Sequence, residues 1–120
     1  MITEYMIDRI VPVLVREMPN HVGRGHALTE KAICRDLNRW SAEKIDGFQL
    51  REMMRYCTHA GLIRRLVADG AAYYVATNDS EFRQYIERVE ARIRKECIYL
   101  HALKSELKPA PVEVQTKIDF

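Results

Sequence analysis

The sequence predicts a mostly helical, α+β fold, and three observations carry that expectation. Apolar residues recur at helical spacing in four stretches of the 120-residue chain. Between the third and fourth, "LVADGAAYYVAT" (66–77) sets two β-rich runs on either side of Asp69-Gly70, the strongest short-range signal for a hairpin. Residues 80–107 then continue without Gly or Pro, a run of about 28 positions that would span about 42 Å as a helix.

The elements follow in order. In "TEYMIDRIVPVLVREM" (3–18), Met6, Ile7, Ile10, Val11, Leu14 and Met18 make one apolar stripe. Thr3 is placed to cap it, and Pro12 should kink or interrupt it. "NHVGRGH" (20–26) reads as loop, and "HAL" (26–28) as an extended turn or a very short strand. "LTEKAICRDLNRW" (28–40) opens on Thr29 as a cap and buries Ala32, Ile33 and Leu37. After the connector "SAEKIDG", Asp46 can cap and Gly47 can open a helix over 47–60, with Leu50, Met54 and Cys57 inward and Gly61 ending it. A two-residue turn at Asp69-Gly70 sets Leu66 opposite Tyr73 and Val67 opposite Ala72. Asn78 and Glu81 have the spacing of a capping box at the head of the last helix.

Composition narrows the function classes. Charged residues make up 30% of the chain and the net charge is +2, the mixture of a soluble globular protein. Apolar runs are broken by charge well short of bilayer length, and the first residues lack a basic-then-apolar leader pattern. The expectation is therefore no membrane partner and a cytoplasmic location. Cys34, Cys57 and Cys97 are odd in number and far apart, with no C-x-x-C pair, and read as buried, reduced thiols. No cofactor and no metal are expected, since His21 and His26 have no acidic or cysteine neighbour at ligand spacing. The chain offers no nucleophile-base arrangement and no phosphate-binding glycine loop, so an enzyme is not expected.

Helix, helix, short turn, helix, two-stranded hairpin is the order of a winged helix-turn-helix, with the hairpin as the wing and residues 1–78 as the domain. In such a domain the second helix of the pair enters the major groove of duplex DNA. Nine basic residues against five acidic over 24–65, a local charge of +4, concentrate on that motif. With the apolar stripe inward, Phe48, Gln49, Arg51, Glu52 and Arg55 face outward. Gln49 can pair with adenine, and Arg51 or Arg55 with guanine. Arg39, Lys44, Arg64 and Arg65 are placed to meet phosphates. Glu52 on this face and a wing tip, "ADGA", that carries no Lys or Arg weigh against the DNA reading. The alternative is a protein–protein adaptor in a replication or regulatory complex.

"ALTEKAICRDLN", "LREMMRYCTHAGLI", "AAYYVAT" and "IERVEARIRKE" together resemble a group of small winged-helix proteins of bacteriophages and prophages. The likeness covers roughly residues 14–107. It implies a DNA-binding regulator or replication accessory protein acting in a bacterial or phage-infected cell. In that group the tyrosines usually follow the turn glycine at once, whereas Ala71 and Ala72 intervene here, so the register of the wing can differ.

Residues 79–107 carry a heptad pattern. Ile86, Ile93, Leu100 and Leu107 recur every seven positions, with Phe82, Val89 and Leu103 on the second seam and Glu96 interrupting it. A homodimer through this helix is expected, and folding back onto residues 3–18 is the other use for the stripe. Residues 108–120 read as a flexible tail after two prolines. Its end, "QTKIDF", places Gln115, Ile118 and Phe120 in a Gln-x-x-(Leu/Ile)-x-Phe pattern. That pattern resembles the peptide by which bacterial replication and repair proteins dock on the polymerase sliding clamp.

Overall fold

Thr3 starts the first helical segment. The Met6 N–H donates to Thr3 Oγ1 at 3.2 Å and the Ile7 N–H to Thr3 O at 3.1 Å. In the computed structural model, which describes residues 1–107, Met6–Ile10 is wound as a π-turn and Val11–Glu17 as helix α1. The wide turn accommodates Pro12. A proline has no N–H to give and its ring crowds the carbonyl four residues earlier. Here the Val11 N–H reaches back five residues to Met6 O, so the proline falls at the second position of α1, where no intrahelical donor is required. The expected interruption at Pro12 is therefore a change of winding.

A two-residue strand β1 (Leu28–Thr29) leads into α2 (Glu30–Asn38), whose first turn is capped by Thr29 Oγ1 accepting from Ala32 N–H at 3.1 Å. Helix α3 (Gly47–His59) opens on a full capping box. Asp46 Oδ1 accepts from Gln49 N–H, and Gln49 Oε1 accepts from Asp46 N–H. It closes on Gly61 at φ +69, with Leu62 N–H to Cys57 O and Gly61 N–H to Thr58 O, the paired bonds of a Schellman end. Strands β2 (Leu66–Asp69) and β3 (Ala72–Val75) follow, then α4 (Asp79–Ser105). Asn78 Oδ1 accepts from Glu81 N–H as the cap of α4, while the Glu81 carboxylate takes the Thr77 N–H.

The sheet is antiparallel and has three strands in the order β1-β3-β2. A third strand thus joins the expected two-stranded ribbon, and "HAL" contributes it through Leu28, paired with Tyr73. The hairpin register also differs from the expected one. Leu66 lies opposite Val75, Val67 opposite Tyr74 and Asp69 opposite Ala72, so the turn is Gly70-Ala71 and not Asp69-Gly70. Gly70 has φ +63 and Ala71 does not share that sign, the pattern of a turn with glycine at its first central position. Asp69 escapes a left-handed conformation this way. Because the partner shifts by two residues, each side chain keeps its face, and Val67 meets Tyr74, two of the largest fully buried groups.

The core is built from Met6, Ile10, Val11, Leu14 and Met18 beneath Ile33, Leu37, Ile45, Leu50, Met53, Met54 and Cys57. Met53 joins the inward set because the buried stripe of α3 is wider than the three positions expected. Each of these side chains contributes roughly 1.5–3 kcal/mol by leaving water.

The chain divides into two units, residues 1–83 and a second beginning at Gln84, the division falling just inside α4. None of the residues of α4 is buried. Among the described residues, no helix is long and apolar enough to cross a membrane. The cysteines differ from expectation: Cys57 is buried, Cys34 is half-buried, and Cys97 is exposed because α4 buries nothing there.

Candidate nucleic-acid interface

The corner between α2 and α3 is set by one amide. Asn38 Oδ1 accepts from Ile45 N–H at 2.8 Å and Asn38 Nδ2 donates to Ile45 O at 2.9 Å, imitating a strand partner. Ile45 is thereby driven into the core. On the far side of the same turn, the Ala42 N–H donates to the Tyr5 hydroxyl, and Thr3 Oγ1 donates to Glu43 Oε1. This turn holds Lys44 exposed and sets the start of α3 beside Glu30.

With Leu50, Met53, Met54 and Cys57 inward, α3 presents Phe48, Arg51, Glu52, Arg55, Tyr56 and His59 on its other side. Phe48 is 54% exposed. The face is not uniformly basic. Arg51 Nη1 donates to both oxygens of Glu30 at 2.9 Å, bridging α2 and α3. Gly47 makes room for that bridge, since a Cβ there would stand 2.5 Å from Glu30 Oε1. Glu52 Oε1 is buried and lies 2.9 Å from the Met1 amino group, close enough for an ion pair but not aligned as a hydrogen bond. Together with Met1 and Ile2, this face encloses an open hollow of about 520 Å³ walled by Phe48, Tyr56, Arg51, Arg55 and Glu52.

The expected site residues are thus brought together unevenly. Phe48, Arg51 and Arg55 share the exposed face of α3 with Lys44 at its entrance. Gln49 is half-buried and its Oε1 holds the capping box. Bidentate pairing with adenine needs that oxygen, so it would require breaking the cap. Arg39 lies 3.7 Å from Asp36, and Arg65 Nη1 lies 2.8 Å from Asp79 Oδ1. Arg65 is also the single non-glycine with positive φ among the described residues, at φ +56, and its carbonyl accepts from Ala76 N–H. It is a joint between sheet and α4 cap. Among the described residues, Lys44, Arg55 and Arg64 have no ion pair within 4.0 Å.

Sequence reasoning missed one engagement and one residue. Asp46 and Gln49 have capping-box spacing, which signals that the glutamine is engaged. Arg24 has no such signal. It comes from the segment before β1 to lie 3.7 Å from Asp69 at the end of β2, and its pKa is raised by hydrogen bonding to Tyr74 and by the Asp69 charge. His21 Nδ1 and His26 Nδ1 both contact backbone carbonyls in that loop. No group of three His, Cys, Asp or Glu able to hold a metal occurs among the described residues.

The α4 positions Ile86, Ile93, Leu100, Leu103 and Leu107 are exposed and Val89 is half-exposed. Gln115, Ile118 and Phe120 lie outside the described residues. Comparison with protein-family models, with curated proteins and with solved structures finds no match to this chain.

Proposed function

We propose that residues 1–78 act as a winged helix-turn-helix and bind duplex DNA through the exposed face of α3, without chemistry. The observation that carries this reading is the order α1-β1-α2-α3-β2-β3, with Phe48, Arg51 and Arg55 exposed on α3 beside an exposed Lys44. An exposed helix face carrying Arg51 and Arg55 after a tight turn fits the geometry that places side chains on base edges. Arg55 is a reader, and Arg51 becomes one on leaving Glu30. Lys44 and Arg64 meet phosphates, and Arg39 and Arg65 do so only by leaving their carboxylates. The resemblance to small phage and prophage winged-helix proteins supports a regulator or replication accessory role in the cytoplasm of a bacterial or infected cell.

The test is a salt-titrated selection against random duplexes. Affinity should fall with a log–log slope of about −0.9 per phosphate neutralised. Arg51→Ala should relax preference at one base position and cost ~1–3 kcal/mol. Glu30→Gln, which frees Arg51, should tighten binding. A protein that retains no duplex even at low salt overturns the reading.

A second reading is favoured by the hollow on the same face and by the neutralisation of Arg51 and Glu52. In it the domain is an adaptor, and Phe48 and Tyr56 receive an apolar side chain of a partner protein, flanked by Arg55. The segment with Gln115, Ile118 and Phe120 would supply a second contact, to a sliding clamp. Here Phe48→Ala abolishes partner capture, duplex binding is absent, and deleting 115–120 removes clamp retention.

A further inference from the structure

Helix α4 carries an apolar stripe, and none of its residues is buried among the described residues. Ile93 is 55% exposed, Leu100 49% and Leu103 46%. In a heptad with Ile86, Ile93 and Leu100 at position a, Glu96 falls at d, Glu90, Cys97 and Lys104 at e, and Arg92 and Tyr99 at g; Glu106 and Leu107, in the turn that follows Ser105, continue the g and a rows. Polar residues on the seam and the charges flanking it decide how two such helices can meet.

A parallel pair is poorly matched. It sets Glu96 directly against Glu96 of the other copy in one core layer, and its flanking contacts, Arg92 with Cys97 and Tyr99 with Lys104, contain no pair of opposite charges. Antiparallel pairs place e beside e and g beside g, so each alignment can be tested by its charges. Pairing Ile86 with Glu96 sets Glu90 against Glu90 and Arg92 against Arg92. Sliding by one heptad, to Ile86 with Leu103, sets Arg83 against Lys104. The next alignment pairs Ile93 with Leu103 and Val89 with Leu107. It sets Glu90 against Lys104 and Arg92 against Glu106, each twice by symmetry. Glu96 then faces Leu100 and no longer its own copy. A further slide leaves too little overlap to bury the stripe.

We propose that α4 pairs with α4 of a second copy of this chain, antiparallel, over residues 89–107, about a two-fold axis at residue 98. The pairing does not rest on the DNA-binding reading, and its test reads distances between copies. Cys97 of both copies lies beside the axis, and Cys97 is exposed while Cys57 is buried.

Spin labels report the arrangement in the full-length chain carrying Cys34→Ser. Labels on Cys97 should lie close together, offset by about 3 Å along the helices with axes 8–10 Å apart, the usual helix–helix spacing. Labels on Gln84→Cys, with Cys97→Ser, should lie about 42 Å apart, since 28 residues at 1.5 Å each separate them. A parallel pair keeps both distances within about 25 Å, two helix diameters. Charge exchange gives an independent readout. Arg92→Glu should weaken association about tenfold, and adding Glu106→Arg should restore it. A chain that stays monomeric at high micromolar concentration, short distances at both labels, or a double variant no tighter than Arg92→Glu alone overturns the proposal.

Discussion

The α1–α3 core and helix α4 use similar side chains in opposite ways. Ile10, Leu50 and Met53 lose all contact with water, while Ile93, Leu100 and Leu103 keep roughly half of their surface wet. Both sets are spaced for a helix. What differs is whether a neighbouring element of the same chain covers the stripe. In the core, the buried faces of α1, α2 and α3 meet in one cluster, Thr3 caps the helical segment that leads into α1, and Thr29 and Asp46 fix where α2 and α3 begin. Along α4 the periodicity is as regular, yet no residue is buried. A periodic stripe therefore specifies a helix without specifying its partner, and its energetic effect belongs either to folding or to association.

The sharpest way to break this contrast is to truncate one buried leucine. Leu50→Ala should lower unfolding stability by about 2–5 kcal/mol, the range for a fully buried leucine in a core that relaxes only partly, as read from urea denaturation. A loss under 1 kcal/mol would mean that the core is looser than the packing indicates. The second effect concerns pH. Burial pushes the Cys57 thiol up to about 11 from 9.0. The unfolded chain then releases its proton near pH 9 while the folded chain keeps it, so stability falls as pH rises from about 9 to about 11, by at most about 1.4 kcal/mol per pH unit. Below pH 9 the thiol contributes no pH dependence. The difference in alkaline slope between the natural protein and Cys57→Ala isolates it. The smallest effect is expected in α4. Ile93→Ala should change unfolding at low protein concentration by under about 0.5 kcal/mol, as exposed substitutions do, while reducing self-association in sedimentation. Equal destabilisation at all concentrations would show that the stripe serves folding after all.

Much of the element order was legible because it depends on local chemistry. Asp46 before Gly47, Gly61 after a helical run and Asn78 three residues before Glu81 each satisfy backbone groups within one turn as their spacing suggests, except that the Glu81 carboxylate takes the Thr77 N–H in place of the Asn78 N–H. The hairpin was legible, but its register was not. Asp69-Gly70 is the stronger turn signal in isolation, yet the sheet sets Val67 against Tyr74 and adds β1 beyond β3, which moves the turn to Gly70-Ala71. On the candidate interface, the outward set of α3 followed from periodicity. The pairing of Arg51 with Glu30 did not, because it joins residues 21 apart that meet only when the α2–α3 corner forms. The exposure of Cys97 was hidden for the same reason, since burial depends on what covers a helix and not on its own sequence.

The pair of hydrogen bonds between Asn38 and Ile45 makes the α2–α3 corner depend on one amide that chemical ageing can alter. Deamidation of Asn38 would replace the Nδ2 donor with a carboxylate oxygen and turn it against the Ile45 carbonyl, acceptor facing acceptor. The side chain would repel the Ile45 carbonyl it now holds, and the bend that presents α3 would slacken without any change in the gene.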